Sequence, residues 1–115
     1  LDMIQSFQSP QVKLVFDAYH LGHVPNIADR LPDLSPWIAL VQLADARVPP
    51  CGEQNRCRLG AGALPLREIL AGLVRCGYAG DVDIELMGED LECPDYAELI
   101  AHSRRVTCEW LHGCS

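Results

Sequence analysis

The chain has 115 residues, 49% apolar and 22% charged, the composition of one small globular domain or part of a larger one rather than of a disordered tail. Sixteen acidic residues against nine Lys and Arg give a net charge of −7, so the surface repels phosphate backbones and nucleic acid is not an expected partner. No apolar run approaches the roughly 18 residues that span a bilayer, and no signal-peptide pattern opens the sequence, so a cytoplasmic protein with no membrane partner is expected.

The opening LDMIQSFQSPQ reads as a segment entered partway, which predicts a single incomplete domain over residues 1–115 of a longer polypeptide. A first strand is predicted at 12–18 (VKLVFDA), with Tyr19, His20 and His23 just beyond its polar tip. Residues 25–36 hold three prolines, so only a short helix is expected there, at about 26–31. A second strand is predicted at 38–44 (IALVQLA) and a third at 81–86 (DVDIEL). Between them, in LPLREILAGLVRCGY, Leu66, Ile69, Leu70, Leu73 and Val74 recur at helical spacing and form one apolar stripe. Pro65 suits the first turn of that helix and Gly77 the position just past its end. A last helix is expected from about Pro94 to Leu111, with Tyr96, Leu99, Ile100, Val106 and Trp110 facing inward. Strands alternating with helices imply an α/β fold of parallel βα units with right-handed crossovers.

The six cysteines, Cys51, Cys57, Cys76, Cys93, Cys108 and Cys114, are widely spaced, and the apolar content can build a core without cross-links. Reduced, packed thiols are expected rather than disulfides. A metal clip in the Cys108–Cys114 tail lacks a CxxC partner elsewhere.

Side chains alternate across a strand, which sorts each strand into two faces. Val12, Leu14 and Phe16 share one face and Lys13, Val15 and Asp17 the other. Leu40 and Gln42 lie opposite Val41 and Leu43, while Val82, Ile84 and Leu86 lie opposite Asp83 and Glu85. Each strand thus has an apolar face and a face with a polar tip: Asp17, Gln42 and Glu85. Two carboxylates that converge out of water need a cation or hydrogen-bond partners. One divalent metal ion at the C-terminal rim of a parallel barrel meets that need, and oxygen ligands suit Mg²⁺ or Mn²⁺ without excluding Zn²⁺ or Co²⁺. The alternative at each position is structural: Asp17 capping a loop, Gln42 bonding backbone, Glu85 pairing with an arginine.

In order and spacing, DAYH, VQLADAR, GEQNRCRLGAG before a helix, and GYAGDVDIEL resemble the C-terminal half of the sugar phosphate isomerase/epimerase family. These are xylose-isomerase-like TIM barrels of the AP endonuclease 2-like superfamily, and the resemblance runs over roughly residues 12–105. It implies that the chain forms about three strands of a (β/α)8 barrel. It also implies one metal ion held by acidic, His or Gln side chains on four successive strands. Asp17, Gln42 and Glu85 match the last three ligands; the first, a glutamate, would precede Leu1. His20 resembles the histidine that contacts a substrate oxygen, and Arg56 the substrate-binding arginine of GE-x-NR.

The implied chemistry is isomerisation or epimerisation of a sugar, sugar phosphate or small hydroxy-keto acid, with dehydration of a polyol a related outcome. Glu85 would be a catalytic residue, moving a proton beside a metal-polarised carbonyl through an enediolate. Carbohydrate metabolism and a homo-oligomer are the accompanying expectations. Arg56, Arg58 and LGAG could hold a phosphate at the start of the following helix, or the run could be a mobile loop closing over the site, the reading preferred here. His23 is expected in a loop, and Glu89, Asp90 and Glu92 in a solvated one. Two other functions stay open: a catalytically inactive remnant or binding protein, and an endonuclease relative acting at abasic DNA. The acidic balance and the lack of a three-metal set of His and Asp ligands oppose the latter.

Overall fold

A computed structural model describes residues 1–48, 55–87 and 95–113. The expected loop of Glu89, Asp90 and Glu92, the helix start at Pro94, and Cys51, Cys93 and Cys114 lie outside these residues.

The chain begins with helix α1 (Asp2–Ser6), and strand β1 (Leu14–Asp17) follows. The strand stops at Asp17 because its carboxylate accepts from the Tyr19 backbone N–H at 2.9 Å and so caps the one-turn helix α2 (Ala18–Leu21). Ala18, expected in the strand, is therefore helical. Residues 27–37 are helical nearly throughout: a 3₁₀ turn at Ile27–Arg30, helix α3 (Leu31–Leu34) and a second 3₁₀ turn at Ser35–Trp37. Pro32 and Pro36 do not break them, because each occupies a first-turn position where its missing N–H costs nothing.

Strand β2 (Ile38–Leu43) runs into a short antiparallel hairpin of β3 (Asp45–Ala46) and β4 (Arg56–Cys57), an element without a sequence expectation. Helix α4 (Leu66–Arg75) buries Leu66, Ile69, Leu70 and Leu73, as its periodicity predicts, but leaves Val74 39% exposed. It ends as expected at Gly77, whose φ of +77° suits glycine. Gly77 N donates to the Val74 carbonyl and Tyr78 N to the Leu73 carbonyl, which satisfies the last turn. Strand β5 (Asp81–Ile84) and helix α5 (Tyr96–His112) complete the order.

Strands β1, β2 and β5 form one parallel sheet in that order, as βα units require. On one face, Phe16, Val41 and Leu43 pack in a buried cluster with Leu31, Leu66, Ile69, Leu70 and Leu73. Each such side chain contributes roughly 1.5–3 kcal/mol by leaving water. On the other face Val15 is 49% exposed. The sheet is thus oriented as its alternation predicts, with the polar tips on the side the helices do not cover.

Helix α5 corrects one expectation. Its buried residues are Leu99, Ser103 and Thr107, steps of four along the helix, with Val106 and Trp110 packed beside them. Tyr96 and Ile100, expected inward, are 59% and 68% exposed. Ile100 sits about 100° around the helix from Leu99 and so leaves the contact line. The three described cysteines, Cys57, Cys76 and Cys108, are free thiols, in keeping with the reduced reading. No helix among the described residues is long and apolar enough to cross a membrane.

Candidate active site

Asp17 and Gln42 are register partners on adjacent strands and therefore project to the same face. Gln42 pairs in turn with Asp83, so Glu85 lies two residues further along the third strand, just past the last residue of β5. Its backbone N–H still donates to the Leu43 carbonyl at 2.9 Å, which extends the ladder and keeps Glu85 on the face of Asp83. Asp17, Gln42 and Glu85 are all half-buried.

The hairpin supplies the next layer. Ala46 pairs with Arg56, and the Arg56 guanidinium reaches back to donate to Glu85 Oε2 at 3.0 Å. It also stacks 4.0 Å from the centroid of the Tyr19 ring. Asn55 N donates to the Tyr19 hydroxyl at 3.3 Å, while the Tyr19 and His20 rings meet edge to face at 5.1 Å. His20 Nε2 stands 3.7 Å from Asp17 Oδ2. Asp17, His20, Tyr19, Arg56 and Glu85 are therefore consecutive links of one contact chain along the C-terminal ends of the strands. The Arg56 guanidinium, which the resemblance assigns to substrate binding, pairs here with Glu85. The side chain of Gln42 has no hydrogen-bond partner among the described residues.

One residue that matters was not singled out in the sequence. Asp45 is 2% exposed, and its carboxylate accepts four backbone N–H groups: from Ala46 at 2.9 Å, Gly60 at 2.9 Å, Gly62 at 3.1 Å and Leu64 at 3.2 Å. A buried carboxylate is tolerated only with such partners. Gly62 has no room for a Cβ, which would collide with the Asp45 carboxylate and the Ala46 carbonyl. The run LGAG is thus tied down by Asp45: the N–H groups of Gly60 and Gly62 within it, and of Leu64 two residues beyond it, are already committed. That opposes both its reading as a phosphate cradle and its reading as a mobile lid. The charge of Asp45 also helps hold the Cys57 thiol above its ordinary pKa of 9.0, after burial, the larger cause. His102 Nε2, 3.0 Å from the Leu59 carbonyl, and an Arg58–Glu98 ion pair fasten the same loop to α5.

The family model described as xylose isomerase-like TIM barrel matches residues 1–110. The chain belongs to that family. No curated protein matches the sequence. Among solved structures, the IOLI protein with a binding zinc atom superposes with a TM-score of 0.83 at 19% identity, over 99% of this chain and 42% of that one. An L-ribulose 3-epimerase gives a TM-score of 0.73 at 16% identity over 98% and 40%. A xylose isomerase domain protein from Alicyclobacillus acidocaldarius gives 0.75 at 24% identity over 98% and 42%. At these identities the likeness is one of fold. The chain spans about two fifths of the length of the barrels it matches.

Within this xylose isomerase-like barrel fold, the polar tips offer two carboxylates and an amide oxygen on adjacent strands, an all-oxygen set that suits a hard divalent cation. Three protein donors are as many as a catalytic zinc site takes, and Mg²⁺ retains several waters beside one or two carboxylates. Among the described residues no three His, Cys, Asp or Glu side chains group to hold an ion unaided, so such a site needs the amide of Gln42.

Proposed function

We propose that this chain carries part of the active site of a divalent-metal-dependent isomerase or epimerase acting on a sugar, sugar phosphate or small hydroxy-keto acid. The observation that carries the reading is the placement of Asp17, Gln42 and Glu85 on one face, at the C-terminal ends of three neighbouring parallel strands. Barrels of this architecture keep their chemistry at that rim. The two-residue offset of Glu85 supports it too: a shear of eight over eight strands staggers each neighbour by about one residue, so two steps amount to about two. Glu85, rather than Asp83, then stands at the height of Asp17 around a barrel. The fold likeness to a zinc-binding protein and to an L-ribulose 3-epimerase favours the same class.

Asp17, Gln42 and Glu85 would hold the ion, with Mn²⁺ or Mg²⁺ the first choice and Zn²⁺ or Co²⁺ alternatives. When bound, it supplies Lewis-acid polarisation of a substrate carbonyl and the adjacent hydroxyl. Glu85 takes the proton from the carbon between them, and the charge-assisted bond from Arg56 fixes the carboxylate for that transfer. His20, facing Asp17, donates to a substrate oxygen and keeps the reacting carbon in line with Glu85. Tyr19 stacks on Arg56 and stops the guanidinium from swinging away.

Mn²⁺ titration of the full-length protein tests this calorimetrically: one ion is expected per chain, with at least tenfold weaker binding in Asp17→Asn and in Glu85→Gln. Asp83→Asn, on the same face but two residues lower, is expected to leave affinity unchanged. No binding, or equal loss in all three variants, overturns the assignment. A second reading, a binding or structural protein without catalysis, draws on the Asp17 cap and the Arg56–Glu85 pair, since both carboxylates already have partners. Exchange of a substrate C–H for deuterium, lost in Glu85→Gln, separates the two.

A further inference from the structure

The Arg56–Glu85 ion pair joins two separate sheets: Arg56 lies in the two-residue strand β4, and Glu85 just past β5. Yet both partners are anchored to one stretch of chain, residues 43–46. The Glu85 N–H donates to the Leu43 carbonyl at 2.9 Å, while Asp45 and Ala46 pair with Cys57 and Arg56. We propose that Asp45 is a positioning residue, fixing the backbone from which the Arg56 guanidinium reaches the Glu85 carboxylate. The inference rests on the proposed isomerase reading only for what Glu85 does once it is held.

Two paired residues a side do not hold a long side chain still. An isolated hairpin is marginally stable at best, and a side chain that orients a reacting group must be held within about 0.5 Å. The Asp45 carboxylate supplies what the two pairs lack. One of its oxygens accepts from Ala46 and Leu64, the other from Gly60 and Gly62. Three of these four donors belong to the chain that leaves β4, which is thereby folded back onto β3. Hydrogen bonds to a carboxylate are about twice as strong as neutral ones, and Asp45 is 2% exposed. The Ala63 N–H adds a bond to the Ala46 carbonyl, and the Arg47 N–H one to the Asn55 carbonyl, both at 2.9 Å. Backbone on both sides of Arg56 is therefore pinned. Loss of the Asp45 carboxylate has an asymmetric consequence: Arg56 loses its footing, whereas Glu85 keeps its own bond to Leu43. A residue that only stabilised the fold would loosen both alike.

The test is hydrogen exchange by NMR on the full-length protein without added metal. It follows the Arg56 guanidinium N–H signals, assigned by their loss in Arg56→Gln, and the Glu85 backbone N–H. In Asp45→Asn the Arg56 signals are expected to exchange at least tenfold faster, with the Glu85 N–H within twofold of its original rate. Gly62→Ala, whose added Cβ meets the Asp45 carboxylate, is expected to do the same and serves if Asp45→Asn fails to fold. Leu31→Ala, a buried truncation beside Gly72, lowers stability elsewhere and is expected to leave the ratio of the two rates within twofold. Equal acceleration at Arg56 and Glu85, an unchanged Arg56 rate, or the same asymmetry in Leu31→Ala overturns the proposal. Calorimetry with Mn²⁺ reads the consequence for the site. Asp45→Asn is expected to shift affinity at least threefold in the direction of Arg56→Gln, and the double variant to lie within twofold of Arg56→Gln alone. An affinity unmoved by Asp45→Asn, or effects that multiply, overturns it too. No Mn²⁺ binding in any form sinks the metal reading and leaves the exchange rates to decide Asp45; Mn²⁺ binding with symmetric exchange does the reverse.

Discussion

Asp45 shows how one side chain can organise a rim. An asparagine there is nearly isosteric but has one acceptor oxygen where the carboxylate has two, so at least two of the four backbone N–H groups lose their acceptor. Each buried donor left unmade costs about 1–3 kcal/mol, so Asp45→Asn is expected to lower stability by roughly 2–4 kcal/mol in urea unfolding. A loss within 0.5 kcal/mol would show that the loop stands without it. The neighbouring Cys57 thiol gives a pH dependence. Burial first, and the Asp45 charge second, raise its pKa above 9.0 in the folded chain, so the folded state holds that proton more tightly than the unfolded one. Its contribution to stability is therefore fully present below about pH 9 and is lost as pH climbs through the folded value. Arg56 carries a different expectation. A guanidinium 3.0 Å from Glu85 competes with any cation for the same carboxylate, so Arg56→Gln should tighten Mn²⁺ binding about tenfold, a change of about 1.4 kcal/mol readable by calorimetry. Unchanged or weaker binding would mean that orienting Glu85 outweighs charge competition.

At the scale of elements, the legible parts are those long enough to display a period. Helix α4 spans ten residues and its stripe at 66, 69, 70 and 73 is buried as read; the three parallel strands are found within two residues of each expected boundary. The hairpin β3–β4 has two residues a side and α2 four, at most about one repeat of either pattern, so no periodicity in the sequence marks them. Asp45 escaped for a related reason: three of its four partners are backbone N–H groups 15–19 residues away, and backbone leaves no trace in side-chain identity. The tips Asp17, Gln42 and Glu85 were legible because polar residues interrupt apolar strands. Helix α5 was misread at Tyr96 and Ile100, although Leu99, Val106 and Trp110 do pack inward, because its contact line continues through Ser103 and Thr107, which a search for apolar residues passes over. That correction is testable. Leu99→Ala, at a buried position, is expected to cost about 2–4 kcal/mol, and Ile100→Gln less than about 0.5 kcal/mol, in paired denaturant curves. Equal costs would put Ile100 back on the packed face.

For the whole molecule, the question is what satisfies the sheet. We propose that residues 1–115 make up a single incomplete domain, about three strands of a barrel whose type comprises about 250 residues. Among the described residues β1 and β5 each pair along one edge only, and the face bearing Val15 is open while the opposite face is packed. Unpaired N–H and C=O rows beside an uncovered sheet face, on which Val15 is exposed, are the usual route to edge-to-edge association. The 115-residue chain by itself is therefore expected to exceed its 12.7 kDa monomer mass in light scattering at tens of micromolar, and to bind a hydrophobic dye. Val15→Lys places a charge on the open face, next to one free edge, and should shift the population toward monomer without touching the Phe16 side of the sheet. A monodisperse 12.7 kDa species with a cooperative unfolding transition and no dye binding would show that three strands suffice. The polar tips would then belong to a self-standing half-barrel rather than to one wall of a closed one.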